Sequence, residues 1–253
     1  MHVQDKVAII TGASSGFGRA LALRLVSKGG KVILADIDVK DGEQLAKELN
    51  EGKNQKVAHF IKVDVTNPNE QAEMFQAAEK YFGRVDIIVN NAGIAELTPL
   101  WEDEKGTWRR VLDVDLIAVI EGTRLGIQAL KKHGQGGRGG VIINTASLAG
   151  IYPQSYVPAY SAAKSGVIAL TRSFKNFGDN IRVNAVAPSF SETKIFPAFE
   201  EAFKALGETF NPVERVIDAF MMLIEDDSYR GDVLRVTPQY GITVLDRRGK
   251  AKL

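Results

Sequence analysis

Residues Val7 to Gly18 read "VAIITGASSGFG". The run Val7 to Thr11 is apolar and β-branched, and it ends in a turn with glycines at Gly12, Gly16 and Gly18. A short apolar run closed by glycines predicts a strand buried on both faces. From Arg19 to Lys28 the apolar residues fall at helical spacing. Glycine lets the backbone turn tightly and lets a ligand approach it closely, and the helix behind the turn offers free N–H groups and a positive dipole end. A pyrophosphate suits that place. The spacing is G-x-x-x-G-x-G, and glycines occur in many turns, so the stretch does not decide the matter alone. Asp36, which closes the next strand "KVILAD", adds the missing weight. A carboxylate about 20 residues after such a turn accepts hydrogen bonds from ribose hydroxyls and repels a 2′-phosphate. The competing role for Asp36 is a cap for the following helix.

The same alternation continues outward. Further strands are read in "VAHFIKVDV", ending near Asp64, and in "VDIIVN", "VIINTA", "IRVNAVA" and "DVLRVT". Helices are read from Asn67–Pro68 onward, from Thr107 to Lys132, from Val157 to Phe177 and from Pro212 to Glu225. The pattern predicts an α/β fold: a single Rossmann-type, doubly wound domain over residues 1–253, with a seven-stranded parallel sheet and helices on both faces. The glycine-rich stretch Lys132 to Gly140 reads as a surface loop and the basic tail from Arg247 as a solvated terminus.

Composition excludes several classes. The 253 residues are 45% hydrophobic and 25% charged, with a net charge of +1, so no nucleic-acid or anionic-membrane footprint is expected. There is no cysteine, which excludes disulfides and thiolate chemistry. His2, His59 and His133 show no ligand spacing, and no metal is expected. No apolar stretch has signal-peptide or membrane-span character, so a cytoplasmic protein is expected.

"YSAAKSG" begins at Tyr160 and sets Tyr160 and Lys164 on one face of a helix. A neighbouring ammonium lowers a phenol's pKa, which suits acid–base work on an alcohol or carbonyl. A surface pair of the same residues is the plainer reading. Ser147, in "NTASLAG" at the end of the fifth strand, stands where open α/β sheets bind ligands. Its hydroxyl can hold a substrate oxygen while the phenol moves the proton.

With "TGASSGFG", "NNAG" at Asn90, Ser147 and "YSAAK" in this order, the chain resembles the short-chain dehydrogenase/reductase family from end to end. Within it, "MHV", "IINTASLAGIYP" and "LIEDD" resemble the NAD-dependent 15-hydroxyprostaglandin dehydrogenases. The resemblance implies Tyr160 as general acid–base, Ser147 as holder of the substrate oxygen, and Lys164 on the nicotinamide ribose, depressing the phenol. It also implies an NAD site at Gly12, Ser14, Ser15, Gly16, Phe17, Gly18, Asp36, Ile37, Asp64, Val65, Asn91, Ala92, Gly93, Tyr160, Lys164, Pro188, Ser191 and Thr193.

The chain departs from the family at Asp115, where an asparagine is usual, at Ser189, which follows Pro188 in place of glycine, and at Ser191. Asp115, if ionised near the site, is expected to pair with Lys164, the competing reading being that it points away and caps or pairs elsewhere; it is counted with the catalytic residues. Residues 189–211, with Phe190, Phe196, Phe199, Phe203 and Phe210, read as an apolar lid over a hydrophobic substrate. Trp101 and Trp108 stand beside a loop at the mouth, as substrate contacts or as helix-start packing. Apolar residues on more than one face of the Thr107–Lys132 and Tyr160 helices suggest a homodimer or homotetramer. The expected activity is hydride transfer between NAD(H) and a secondary alcohol or ketone. The alternatives are a pathway-specific reductase or cyclase of the same fold and an NAD-binding protein with little turnover.

Overall fold

All five residues of β1 (Val7–Thr11) are buried. Ala8 and Ile10 join one hydrophobic cluster, Val7 and Ile9 another. A strand buried on both faces needs helices over each side. The computed structural model has that arrangement and describes residues 1–133, 139–178, 180–196, 200, 203, 204, 207 and 209–246. After β1 come α1 (Gly16–Ser27), β2 (Lys31–Asp36), α2 (Val39–Asn50), β3 (Ala58–Lys62), α3 (Pro68–Phe82) and β4 (Ile87–Asn90). Then follow α4 (Trp108–Leu112), α5 (Ala118–His133), β5 (Gly140–Thr145), α6 (Pro158–Ser173), β6 (Ile181–Pro188), α7 (Val213–Glu225), β7 (Val233–Thr237) and β8 (Gly241–Val244).

The sheet order is β3-β2-β1-β4-β5-β6-β7-β8. Leu21 and Leu25 of α1, Leu45 of α2 and Phe220 of α7 cover one face. Met74 of α3, Leu130 of α5 and Val167 of α6 lie in the clusters of the other. The chain moves outward from β1 through β2 to β3, then returns to place β4 on the other side of β1. That reversal opens a crevice at the carboxyl ends of β1 and β4, where ligands bind in folds of this class.

Two expectations need correction. The sheet has eight strands, not seven parallel ones, because β8 pairs antiparallel with β7. "GITV" is only half-buried, so it lacks the apolar run of a central strand. A tight turn, in which the Tyr240 N–H donates to Thr237 Oγ1 at 3.1 Å, brings it back without a crossover helix. The expected long helix from Thr107 is interrupted by a π-helical turn, Asp113–Ile117, between α4 and α5. Such turns are rare and concentrate at functional sites; this one carries Asp115. Residues 134–138 of the glycine-rich loop and the tail from Arg247 lie outside the described residues. No helix among the described residues is long and apolar enough to cross a membrane.

Candidate active site

The glycine turn is built by close contact. Gly12 has φ +63°, and a Cβ there would lie 2.9 Å from Ala92 Cα. At Gly18 a Cβ would lie 2.1 Å from the Gly12 carbonyl oxygen. Ala92 belongs to "NNAG", whose Asn91 N–H donates to Thr11 Oγ1 at 2.9 Å. Asp36 fastens the turn from the other side. Its Oδ2 accepts from the Ser14 N–H at 2.9 Å and the Ser14 hydroxyl at 2.6 Å, and its Oδ1 accepts from the Asp38 N–H at 3.0 Å. The cap of α2 is Asp38, not Asp36.

A cavity of about 700 Å³ runs from Asp36 and Ile37 past the glycine turn to Ser147 and Tyr160. It is bordered by every residue expected at the site except Ser14 and Gly18. Ser14 is spent on Asp36, and Gly18 packs under Gly12. The residues fit a dinucleotide. Ser15 caps α1 without a side-chain hydrogen bond, so no serine oxygen occupies the first-turn N–H groups that bind a pyrophosphate. Asp36 offers a carboxylate to a ribose, and Ile37 is exposed beside it. Asp64 accepts from Arg110 Nη2 at 2.8 Å and from the Thr66 hydroxyl at 2.8 Å. Burial opposes ionisation of Asp64, but these bonds and the Arg110 charge hold its pKa at about 2.

At the other end, Tyr160 and Lys164 stand one turn apart on α6, both buried. Lys164 Nζ lies 5.5 Å from the Tyr160 ring centroid and donates to the Thr145 carbonyl at 3.0 Å. It also lies 2.8 Å from Asp115 Oδ1, so the expected ion pair is present. Asp115 is fully buried, and its Oδ2 accepts from the Ile94 N–H at 3.0 Å. The approach requires Gly93, where a Cβ would lie 2.8 Å from Asp115 Oδ1.

Lys164 depresses the phenol as expected, but it does not set the balance. Burial pushes the Tyr160 pKa up, Lys164 pulls it down, Asp115 pushes it up, and a hydrogen bond with Ser147 lowers it; the balance is upward. Burial disfavours the Lys164 charge, but Asp115 and Tyr160 outweigh that and raise its pKa. Burial likewise raises Asp115 against the pull of Lys164 and the Ile94 N–H.

The family model described as short chain dehydrogenase matches residues 6–203. The chain belongs to that family. It is 35% identical to the human 15-hydroxyprostaglandin dehydrogenase [NAD(+)], over 97% of this chain and 96% of that protein. It is 37% identical to a 3beta-hydroxysteroid dehydrogenase of Eggerthella lenta, over 75% and 72% of the two chains. A solved structure of a 3-ketoacyl-(acyl-carrier-protein) reductase from Brucella melitensis, complexed with NADH, superposes with a TM-score of 0.86. It shares 29% identity with the chain, covering 95% of this chain and 100% of that one.

Other residues of this short-chain dehydrogenase join the site without a signal in the sequence. Glu96 is buried and accepts from the Tyr160 N–H at 3.0 Å. Lys194 reaches Asp38 at 3.2 Å and Asp41 at 2.6 Å. Only the folded chain brings these residues together. Trp101 is exposed and Trp108 packs against Arg109; neither borders the cavity. Phe190 and Phe196 do border it. Phe203 meets both of their rings and stacks on Phe210 at 4.4 Å. Phe199 lies outside the described residues.

Proposed function

We propose that the protein transfers a hydride between NAD(H) and a secondary alcohol or ketone with a hydrophobic body. One observation carries this reading. Ser147 from the end of β5 and Tyr160 and Lys164 from α6 meet at one end of a cavity whose other end is Asp36. NAD supplies the hydride acceptor, or as NADH the donor, when bound. The glycine turn and the N-terminus of α1 hold its pyrophosphate, and Asp36 its adenosine ribose. Ser147 holds the substrate oxygen. The Tyr160 hydroxyl gives its proton to that oxygen in reduction and takes it back in oxidation. Lys164 pulls the phenol toward the phenolate form that oxidation needs, and Asp115 offsets part of that pull.

Phe190 and Phe196 form the apolar wall of the substrate end; of the expected lid over 189–211, residues 197–199, 201, 202, 205, 206 and 208 lie outside the described residues. Residues 1–253 act as one NAD-binding domain in the cytoplasm. Ile117 and Ile120, exposed on the π turn and α5, form part of a symmetric dimer face; sedimentation as a monomer at all concentrations overturns that assignment.

The test is a panel of secondary alcohols and ketones followed by NADH absorbance. Tyr160→Phe removes one hydroxyl, so NADH binding survives while turnover falls by about 10²-fold or more. A variant that keeps more than about a tenth of the activity removes Tyr160 from the chemistry.

A further inference from the structure

Arg235 sits on β7 with 6% of its surface exposed. Its Nε donates to Thr243 Oγ1 at 3.2 Å, its Nη1 donates to the Tyr152 hydroxyl at 3.2 Å, and its guanidinium lies 5.3 Å from the Tyr240 ring centroid. Nη2 is buried without a hydrogen-bond partner among the described residues. No carboxylate among them pairs with Arg235; the carboxylates that hold the other buried cations, such as Asp115 with Lys164, have no counterpart here. A buried guanidinium with only neutral partners is costly, and the cost falls when an anion arrives.

Of the two hydroxyls that Arg235 grips, that of Tyr152 is the one at the cavity. Tyr152 lines it and is 46% exposed. Its oxygen accepts from Arg235, which leaves the phenolic hydrogen free to donate, with a positive charge behind it. The register Ala187↔Arg235 sets Arg235 beside the segment that leads into Ser189. Ser189 also lines the cavity, and its Oγ is buried without a partner among the described residues. Two hydroxyls in the wall and one unbalanced cation behind it therefore occupy the same side of the cavity.

We propose that Tyr152, backed by Arg235, is an anion subsite, and that the substrate is a secondary alcohol or ketone bearing a carboxylate. A carboxylate brings one negative charge to one guanidinium, whereas a phosphate monoester would bring nearly two. Tyr152 makes the contact, Ser189 offers a second donor, and Arg235 acts through Tyr152 as a positioning residue. This rests on the dehydrogenase reading and names its substrate class.

The test uses a ladder of secondary hydroxy acids of increasing chain length, each paired with its methyl ester. Two readouts are taken on the full chain: kcat/KM from NADH absorbance, and binding to the NADH complex from NADH fluorescence. At the best length the acid is favoured over its ester by about tenfold or more, as expected for a charge-assisted hydrogen bond. Arg235→Met and Tyr152→Phe bring the ratio close to one, with the affinity for NADH unchanged. Tyr152 is half-exposed, so Tyr152→Phe decides the matter if Arg235→Met does not fold. An acid preference in binding without turnover of any alcohol keeps the subsite and removes the dehydrogenase reading. Equal binding of acid and ester at every length, or a preference that survives Tyr152→Phe, overturns the subsite.

Discussion

Lys164 Nζ is held by one charged oxygen, Asp115 Oδ1 at 2.8 Å, and one neutral one, the Thr145 carbonyl at 3.0 Å. An asparagine at 115, usual in the family, would both donate and accept, but a carboxylate only accepts. The ionised carboxylate offsets the pull of the ammonium on Tyr160, in the direction that raises the phenol. A raised phenol stays protonated near neutrality, which favours ketone reduction there and makes alcohol oxidation rise with pH. Asp115→Asn removes one negative charge, so the Tyr160 pKa falls. The rising limb of kcat/KM in the oxidative direction should move to lower pH. A limb that stays in place or moves upward means that the carboxylate is not coupled to the phenol. The Asp115–Lys164 pairing was legible from the position of Asp115 in the family pattern. The net rise at Tyr160 was not, because desolvation depends on everything packed around the ring and not on its spacing from Lys164.

Helix α6 begins without a side-chain cap at Val157. The N–H of Tyr160, in its first turn, is instead satisfied by Glu96 from 64 residues upstream. Glu96→Ala leaves that buried donor without its acceptor, at a cost of about 1–2 kcal/mol. It should lower Tm by a few degrees and reduce kcat more than the affinity for NADH, since only the substrate end of the cavity depends on this turn. Glu96→Gln keeps an acceptor and should restore most of both; equal loss of kcat in Gln and Ala would show that the bond does not position Tyr160. Nothing in "AELTPLWEDEKGT" distinguishes Glu96 from the surface acids around it. The elements themselves were legible where apolar period and turn residues agree, as in β1, β2 and the Asn67–Pro68 start of α3. They were not legible where the signal is weak: β8 is four half-buried residues, and the π turn has the apolar spacing of the helices on either side of it.

Across the whole molecule, the cavity takes its walls from both halves of the sheet, from Gly12 to Val65 on one side of the switch point and from Thr145 to Phe196 on the other. Lys194 adds a strap between them, reaching from beyond β6 to Asp38 and Asp41 at the start of α2. That pair is exposed, so by itself it contributes little. A dinucleotide bound along the cavity touches both halves and must stabilise the fold as a unit. At about 100 times its Kd, NAD adds about 2.7 kcal/mol, which for a chain of this size raises Tm by about 5 °C or more. NADP at the same concentration should give a smaller shift, because its 2′-phosphate meets the Asp36 carboxylate. The comparison is best made on the parent protein. Asp36→Ala would also free the Ser14 and Asp38 N–H groups, which loosens the glycine turn and weakens both cofactors together. Protein concentration must be held constant, because a dimer would make Tm depend on it. Equal shifts with NAD and NADP would remove Asp36 as the discriminating group, and no shift with either would remove the cavity as the dinucleotide site.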